Sequence, residues 1–125
     1  MKAIVATEKA PAAIGPYSQA IDLGGMLITS GQLPIDPATG AMPQTVEAQT
    51  RQSLENVRAI LAEAGLTMDN VVKTTVFLQN MDDFAAMNGV YGEFFAAGQY
   101  PARSAVEVAA LPKGALVEIE AICTR

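Results

Sequence analysis

The sequence contains no histidine and no tryptophan, and its only cysteine is Cys123. Without histidine the chain cannot build a catalytic triad that uses an imidazole base, and without a group of cysteines and histidines it cannot build the common zinc sites. Paired carboxylates could still bind magnesium, but no motif indicates a metal or a cofactor. A single cysteine forms no disulfide within the chain, which fits a reducing compartment.

Basic residues are few and scattered. Lys and Arg total 8 against 13 Asp and Glu, and the formal net charge is −5. Proteins that bind nucleic acids usually carry a clustered basic patch, so this composition argues against nucleic acid as a partner. The sequence also lacks the run of about 18 apolar residues that a transmembrane helix needs. Its first apolar stretch is too short for a signal peptide, and we expect a cytoplasmic protein that does not enter a membrane.

Apolar side chains are abundant. Hydrophobic residues make up 50% of the chain and charged residues 17%, and the mean hydropathy is +0.25. This composition is typical of a folded globular domain and not of a disordered segment. A length of 125 residues predicts a single domain, over residues 1–125, with one core. Because the apolar excess is high for so small a domain, we expect an oligomer to cover part of it.

Apolar periodicity and turn residues predict the secondary structure. A first helix is predicted over residues 45–64, where apolar residues recur at spacings of three and four and Thr45 and Gly65 provide the caps. A second helix is predicted over residues 82–96. Strands are predicted over residues 3–6, 17–23, 26–30, 71–78, 103–109 and 116–123. The order β-β-β-α-β-α-β-β predicts an α+β fold, with a mixed sheet and two helices packed on one of its faces.

Arg103 is the one arginine of a largely apolar stretch, residues 101–116, and begins a predicted strand. An arginine does not lose its charge in a protein, and its planar fork can bind a carboxylate through two parallel hydrogen bonds. Arg103 could therefore form a surface or interface salt bridge, with Glu118 or Glu107. It could equally be the receptor for a small carboxylate substrate. The residues alone leave both interpretations open.

Glu118 lies in the last predicted strand, which we expect to adjoin the Arg103 strand through a turn at residues 111–114. Side chains alternate along a strand, so Glu118 and Glu120 share one face and their apolar neighbours share the other. The apolar face should meet the helices, which leaves the carboxylates on the opposite face of the sheet. There Glu118 is either a solvated charge or a group that orients or activates a water molecule.

Three other polar residues are weak evidence when taken singly. Tyr17 and Ser30 follow turns or end strands, where side chains often cap backbone groups. Asn88 belongs to the second helix and is a surface group unless it meets a neighbouring subunit. The pair Gly24-Gly25 predicts a hairpin turn and not a phosphate-binding loop, because neither of the two common glycine-rich phosphate motifs occurs.

Several motifs along the chain resemble the RidA (YjgF) family, in the right order and without large insertions. They are Gly15-Pro16-Tyr17-Ser18-Gln19-Ala20, Thr29-Ser30-Gly31-Gln32-Leu33-Pro34, Asn56-Val57, Met81-Asp82-Asp83-Phe84 with Asn88, Tyr91, Phe94 and Phe95, Pro101-Ala102-Arg103-Ser104, Val106-Glu107-Val108, Leu111-Pro112, and Glu118-Ile119-Glu120-Ala121. The match covers essentially the whole chain. The presence of both Arg103 and Glu118 makes it strongest for the RidA subfamily.

This resemblance implies a chorismate-mutase-like α+β fold, a homotrimer, and active sites in the clefts between subunits. It implies hydrolysis of reactive enamines and imines, such as 2-aminoacrylate and 2-iminopropanoate, to 2-keto acids and ammonia, with neither cofactor nor metal. Arg103 would hold the substrate carboxylate, and Glu118 would position the attacking water. The pocket would be lined by Tyr17, Ser30, Gly31 and Asn88. The chain departs from several relatives at Ala105, where they carry a cysteine.

The predicted reaction suits a chain without histidine. An imine carbon conjugated to a carboxylate is electrophilic once its nitrogen is protonated, so hydrolysis needs an oriented acid group and one polarised water. Two other functions compete with it. One is a non-catalytic protein that binds keto acids or other small carboxylic acids through the same arginine. The other is an endoribonuclease or translation inhibitor, against which the net charge of −5 and the lack of histidine both argue.

Overall fold

The computed structural model describes residues 2–125, which form six strands and two α-helices. The strands are β1 (Ala3–Val5), β2 (Ala20–Asp22), β3 (Met26–Thr29), β4 (Val71–Leu78), β5 (Ala102–Glu107) and β6 (Val117–Thr124). The helices are α1 (Val46–Glu63) and α2 (Phe84–Tyr91). Met1, the first residue of the predicted domain, lies outside the described residues. This element order and the mixed sheet confirm the predicted α+β class.

The strands form one sheet in the order β1-β2-β3-β6-β4-β5. Strands β4 and β5 are parallel, and every other neighbouring pair is antiparallel. The chain between β4 and β5 passes through α2, as a parallel pair requires, and β6 then inserts between β3 and β4. The expectation that the strands of Arg103 and Glu118 adjoin is therefore wrong, because β4 separates β5 from β6.

Helix α1 has the caps that the sequence predicts. The Oγ1 atom of Thr45 accepts a hydrogen bond from the backbone N–H of Ala48 at 3.1 Å. Gly65 follows the helix with a φ of +77°, a conformation that glycine adopts without the steric cost of a Cβ atom. The buried face of α1 includes Leu54, Val57 and Leu61. The prediction from the apolar spacing is thus confirmed.

Strand β2 begins at Ala20 and not at residue 17, where it was predicted to begin. The residue before it, Gln19, has a buried side chain that bonds to the backbone of a preceding loop, with Oε1 accepting from the N–H of Thr7 at 2.7 Å and Nε2 donating to the carbonyl of Pro11 at 2.7 Å. The backbone carbonyl of Gln19 still accepts a hydrogen bond from the N–H of Ser30 at 2.8 Å, so the pairing with the β3 side ends at this residue.

Helix α2 is also shorter than predicted. It begins at Phe84, after a 3₁₀ turn at Met81–Asp83, and ends at Tyr91. A second 3₁₀ turn follows at Gly92–Phe94, and the backbone is extended at Phe95. Phe94 and Phe95, which lie on either side of this change of conformation, are both buried in the core.

The hydrophobic core lies between the helices and one face of the sheet. On β6, Val117 and Ile119 are buried, whereas Glu118 and Glu120 lie on the other face, as the alternation predicts. That outer face carries a row of isoleucines paired across the four strands β1, β2, β3 and β6, which are Ile4, Ile21, Ile28 and Ile122. Within residues 2–125, neither helix is both long and apolar enough to cross a membrane.

Candidate active site

Glu118 lies in a pocket of about 670 Å³ on the outer face of the sheet. The lining includes Tyr17, Ser30, Gly31 and Lys113 together with apolar residues of the loops around β3. The side chain of Glu118 is half-buried. Burial raises the pKa of its carboxyl group above the ordinary value, and the nearby charge of Glu120 raises it further. A carboxylate of raised pKa takes up a proton more readily, which suits a general base.

The segment beside Glu118 is held by backbone pairing to the same strand. The N–H of Gln32 donates to the carbonyl of Ile119 at 2.7 Å, and the N–H of Ile119 donates to the carbonyl of Gln32 at 3.2 Å. This bridge holds the backbone of Gly31 close to the side chain of Glu118. A Cβ atom at Gly31 would lie 2.9 Å from Cδ and 3.1 Å from Oε2 of Glu118. Only glycine fits there without displacing the carboxylate.

Ser30 and Tyr17 join the pocket through the neighbouring loop. The hydroxyl of Ser30 donates to the carbonyl of Ser18 at 2.6 Å, and the N–H of Ser30 donates to the carbonyl of Gln19 at 2.8 Å. These bonds bring the exposed Tyr17 to the edge of the pocket. The structure therefore places Tyr17, Ser30 and Gly31 with Glu118.

Asn56 supports the far wall of this pocket from inside α1. It is fully buried, and its Nδ2 donates to the carbonyls of Leu33 and Ile35, each at 3.0 Å. Its Oδ1 accepts from Nε2 of Gln52 at 2.9 Å. Leu33 and Ile35 both line the Glu118 pocket. From the sequence, Asn56 was noted only as part of a family motif. A polar residue beside the apolar stripe of a helix was the signal for this role.

Arg103 lies elsewhere, on the helix side of the sheet at β5. Its Nη1 donates to Oδ1 of Asn88 at 2.6 Å. The guanidinium carbon is 4.7 Å from the ring centre of Tyr91 and 5.3 Å from that of Phe84. Arg103, Asn88 and Tyr91, with the loop before β5, line a second pocket of about 480 Å³.

No ion pair of Arg103 occurs among residues 2–125, so the intrachain salt bridge considered from the sequence is not formed. Of its two suggested partners, Glu107 is engaged elsewhere and accepts a hydrogen bond from the backbone N–H of Met81 at 2.8 Å. The other, Glu118, is in the first pocket, on the other face of the sheet. Within the described chain, the guanidinium thus has neutral neighbours only.

The chain therefore carries two separate groups of predicted site residues. Arg103 pairs in register with Thr74 of β4, and Glu118 pairs with Phe77. Positions three residues apart on a strand point to opposite faces, so the side chains of Arg103 and Glu118 do so as well. Asn88 accompanies Arg103, and the remaining predicted residues accompany Glu118.

Other reactive groups contribute little. Burial raises the pKa of the Cys123 thiol to about 11, so it is not a ready thiolate nucleophile. Among residues 2–125, no cluster of His, Cys, Asp and Glu is arranged to hold a metal ion. One pocket contains the Arg103 guanidinium, which has hydrogen-bond donors that are not used within the described residues. The other contains the half-buried carboxylate of Glu118 beside Gly31.

The family model described as endoribonuclease L-PSP matches residues 7–125. A 2-iminobutanoate/2-iminopropanoate deaminase of Salmonella typhimurium is 58% identical over 127 residues, which cover 100% of this chain and 99% of the relative. The crystal structure of the YjgF gene product of Escherichia coli is 56% identical with a TM-score of 0.95, covering 98% of each chain. Escherichia coli TdcF, solved with bound serine, is 52% identical with a TM-score of 0.95, again over 98% of each chain.

These matches extend over nearly the full length of the chain, and so over the positions of both groups of predicted site residues. The family predicted from the sequence motifs is confirmed. The chain belongs to the RidA family, which the matching model describes as endoribonuclease L-PSP.

Proposed function

We propose that this protein hydrolyses 2-imino and 2-enamino acids, of the 2-iminopropanoate and 2-aminoacrylate type, to 2-keto acids and ammonia. The observation that carries this proposal is Arg103, whose guanidinium contacts neutral partners and forms no ion pair with a carboxylate of residues 2–125. Such a group is suited to the carboxylate of a small substrate. Full-length relatives named 2-iminobutanoate/2-iminopropanoate deaminase, at 58% and 56% identity, support the same activity. We expect it to act in the cytoplasm.

We further propose that the active site is completed between copies of the chain in a homotrimer. Arg103 and Glu118 face opposite sides of one sheet, so a single copy cannot direct both at one small molecule. The outer face has an exposed apolar row that includes Ile4, Ile28 and Ile122. A neighbouring subunit that covered this row would bury apolar area next to the Glu118 pocket. Its own Arg103 could then enter that pocket.

In the proposed mechanism, Arg103 binds the substrate carboxylate through two hydrogen bonds and fixes the position of the imine carbon. Glu118 orients a water and takes one of its protons as the oxygen attacks that carbon. The new C–O bond forms while the C=N electron pair moves to the protonated nitrogen. Glu118 then returns its proton to the nitrogen, and the C–N bond breaks to release ammonia as the hydroxyl oxygen forms C=O. The proton of that hydroxyl passes back to Glu118 and from there to the ammonia. The products are a 2-keto acid and ammonium.

Two alternatives are separated from this proposal by simple measurements. A non-catalytic keto-acid binder would show no turnover, whereas in the proposed enzyme Glu118→Gln should lower turnover while ligand binding survives. An endoribonuclease is suggested by the family description, but a chain of net charge −5 without histidine has neither a basic surface nor an imidazole base. Binding of RNA through phosphate contacts would weaken steeply with salt, and this can be measured directly.

The deciding experiment is stopped-flow hydrolysis of freshly generated 2-iminopropanoate. Wild-type protein should accelerate the loss of imine, and Arg103→Ala should abolish most of the acceleration. Arg58→Ala is a matched control, because Arg58 also lies over an aromatic ring, with its guanidinium carbon 4.7 Å from the ring centre of Phe94, but belongs to neither pocket. Equal rates for wild type and Arg103→Ala would refute the proposed role of the arginine.

A further inference from the structure

The residues on one side of helix α2 contact Arg103. Phe84, Asn88 and Tyr91 are spaced four and three residues apart, so they lie on one side of the helix. All three contact the same guanidinium, the asparagine by a hydrogen bond and the two rings at 5.3 and 4.7 Å. The asparagine was predicted as a site residue; Tyr91, whose ring is the nearer of the two, was not.

Tyr91 is itself rigidly held. It is 4% exposed, and its hydroxyl shares a hydrogen bond of 2.6 Å with the hydroxyl of the buried Thr74. Thr74 is the residue of β4 that pairs in register with Arg103. The Tyr91 ring also packs against Phe95, with ring centres 5.0 Å apart. The ring therefore has little freedom to turn away from the guanidinium.

The remaining donors of Arg103 are left for a ligand. Asn88 occupies Nη1, and no hydrogen bond of Nε or Nη2 occurs among residues 2–125. These two nitrogens form one edge of the planar guanidinium, which is the geometry that binds a carboxylate at two points. A ring beneath the plane fixes its orientation without using any donor, and a cation over an aromatic face is itself attracted to it.

We propose that Tyr91 is a positioning residue that stacks under Arg103 and presents its Nε–Nη2 edge to the substrate carboxylate. The part of this statement that concerns the substrate rests on the proposed function. The part that concerns Arg103 does not, since the stacked guanidinium should be ordered before any ligand binds. The two parts need separate measurements.

The first measurement is ligand-free. The Nε–Hε signal of Arg103 is assigned by its absence in Arg103→Lys, and its order parameter is obtained from ¹⁵N relaxation. We expect a value near that of rigid backbone, about 0.85, in wild type and in Tyr91→Phe, which keeps the ring. Tyr91→Leu should lower it below about 0.6. A mobile signal in wild type, or an unchanged one in Tyr91→Leu, would overturn the proposal.

The second measurement uses pyruvate as the probe in calorimetry. Tyr91→Leu should raise its dissociation constant about 3- to 30-fold, whereas Tyr91→Phe and Thr74→Val, which remove only the hydroxyl pair, should stay within about 3-fold of wild type. In an Arg103→Ala background, Tyr91→Leu should have no further effect, because the two residues act as a unit. An additional loss there would show that Tyr91 acts through another group.

The outcomes separate the two levels of inference. An ordered Arg103 in a protein that neither hydrolyses imines nor binds pyruvate would leave the stacking role intact and reject the proposed function. Normal hydrolysis with a mobile Arg103 would support the proposed function and reject the stacking role of Tyr91. If Tyr91→Leu does not fold, the wild-type order parameter and the Tyr91→Phe variant still test the proposal. A fall in the order parameter or in pyruvate affinity in Tyr91→Phe would assign the role to the hydroxyl and overturn the ring-based proposal.

Discussion

Arg103 and Glu118 project from opposite faces of the same sheet, because β4 lies between their strands and pairs with them at Thr74 and Phe77. The proposed carboxylate receptor, Arg103, and the proposed water-positioning group, Glu118, are therefore in different pockets of one chain. This relationship leads to a prediction about assembly that does not depend on solving a complex.

Mixed oligomers of two inactive variants should regain activity. If each site takes its arginine from one copy and its glutamate from another, Arg103→Ala and Glu118→Gln chains refolded together at equal amounts should recover about one quarter of wild-type activity, since each site draws the two residues independently. Steady-state imine hydrolysis before and after mixing provides the measurement. If mixing restores nothing although light scattering shows a trimer of three 13.1 kDa chains, both residues must come from one copy.

Replacing Arg103 by lysine should abolish most activity although the charge is kept. An ammonium group cannot reproduce the planar two-point contact or the stacking over Tyr91. Losing one charge-assisted pair of hydrogen bonds corresponds to a fall in kcat/KM of about 30- to 1,000-fold. Arg58→Lys should leave kcat/KM unchanged. Near-normal hydrolysis by Arg103→Lys would assign Arg103 a structural role.

Gly31→Ala should reduce turnover through Glu118. The added methyl group would lie 2.9 Å from Cδ of Glu118, so the carboxylate must move from its place in the pocket. We expect kcat to fall at least about 10-fold, on the scale of a misplaced catalytic base. Gly25→Ala is the matched control, because a Cβ atom at Gly25 meets nothing within 4 Å and should change neither rate nor stability.

Glu118→Gln should separate binding from turnover. Glutamine preserves the size of the side chain but cannot take up a proton, so pyruvate binding should persist while kcat falls by about 100-fold or more. Turnover by the wild type should decline as the pH falls through the raised pKa of Glu118, because only the ionised carboxylate accepts a proton. A pH profile of kcat that is the same in both proteins would place the base elsewhere.

The raised pKa of Glu118 also makes the stability of the fold depend on pH. The folded protein binds a proton at Glu118 more tightly than the unfolded chain does. The stability that this proton contributes is fully present below the pKa of Glu118 in the unfolded chain, and it is lost as the pH rises through the pKa of Glu118 in the folded protein. At neutral pH, Glu118→Gln should therefore be at least as stable as wild type, and its stability should vary less between pH 4 and 7. Urea unfolding at both values of pH measures this.

Asn56→Leu should destabilise the fold and loosen the wall of the Glu118 pocket. The change leaves the carbonyls of Leu33 and Ile35 without their amide donor, at a cost of about 1–3 kcal/mol in the free energy of unfolding. Ser53 on the same helix is a sharp control. Its buried hydroxyl has no hydrogen-bond partner among the described residues, so Ser53→Ala should be neutral or stabilising in the same urea titration.

Local patterns were enough to identify most elements from the sequence. The predicted strand over residues 71–78 coincides with β4, and α1 differs from its prediction only in the assignment of the capping residues. Both depend on short-range effects, namely side-chain periodicity and capping. The alternation on β6 likewise predicted that Glu118 faces away from the core. The predicted start of β2 was wrong, and the residue before the strand, Gln19, makes side-chain bonds to the distant loop residues Thr7 and Pro11 that no local pattern indicates.

The sequence alone determined the fold class, the family and the identity of the candidate residues, because these follow from local patterns and motifs read in order along the chain. Only the tertiary structure decided how those residues are grouped. The position of β4 between β5 and β6 is a non-local pairing, and no periodicity within either strand encodes it. That pairing separates Arg103 from Glu118, and the packing of α2 on the sheet places Tyr91 beneath the guanidinium.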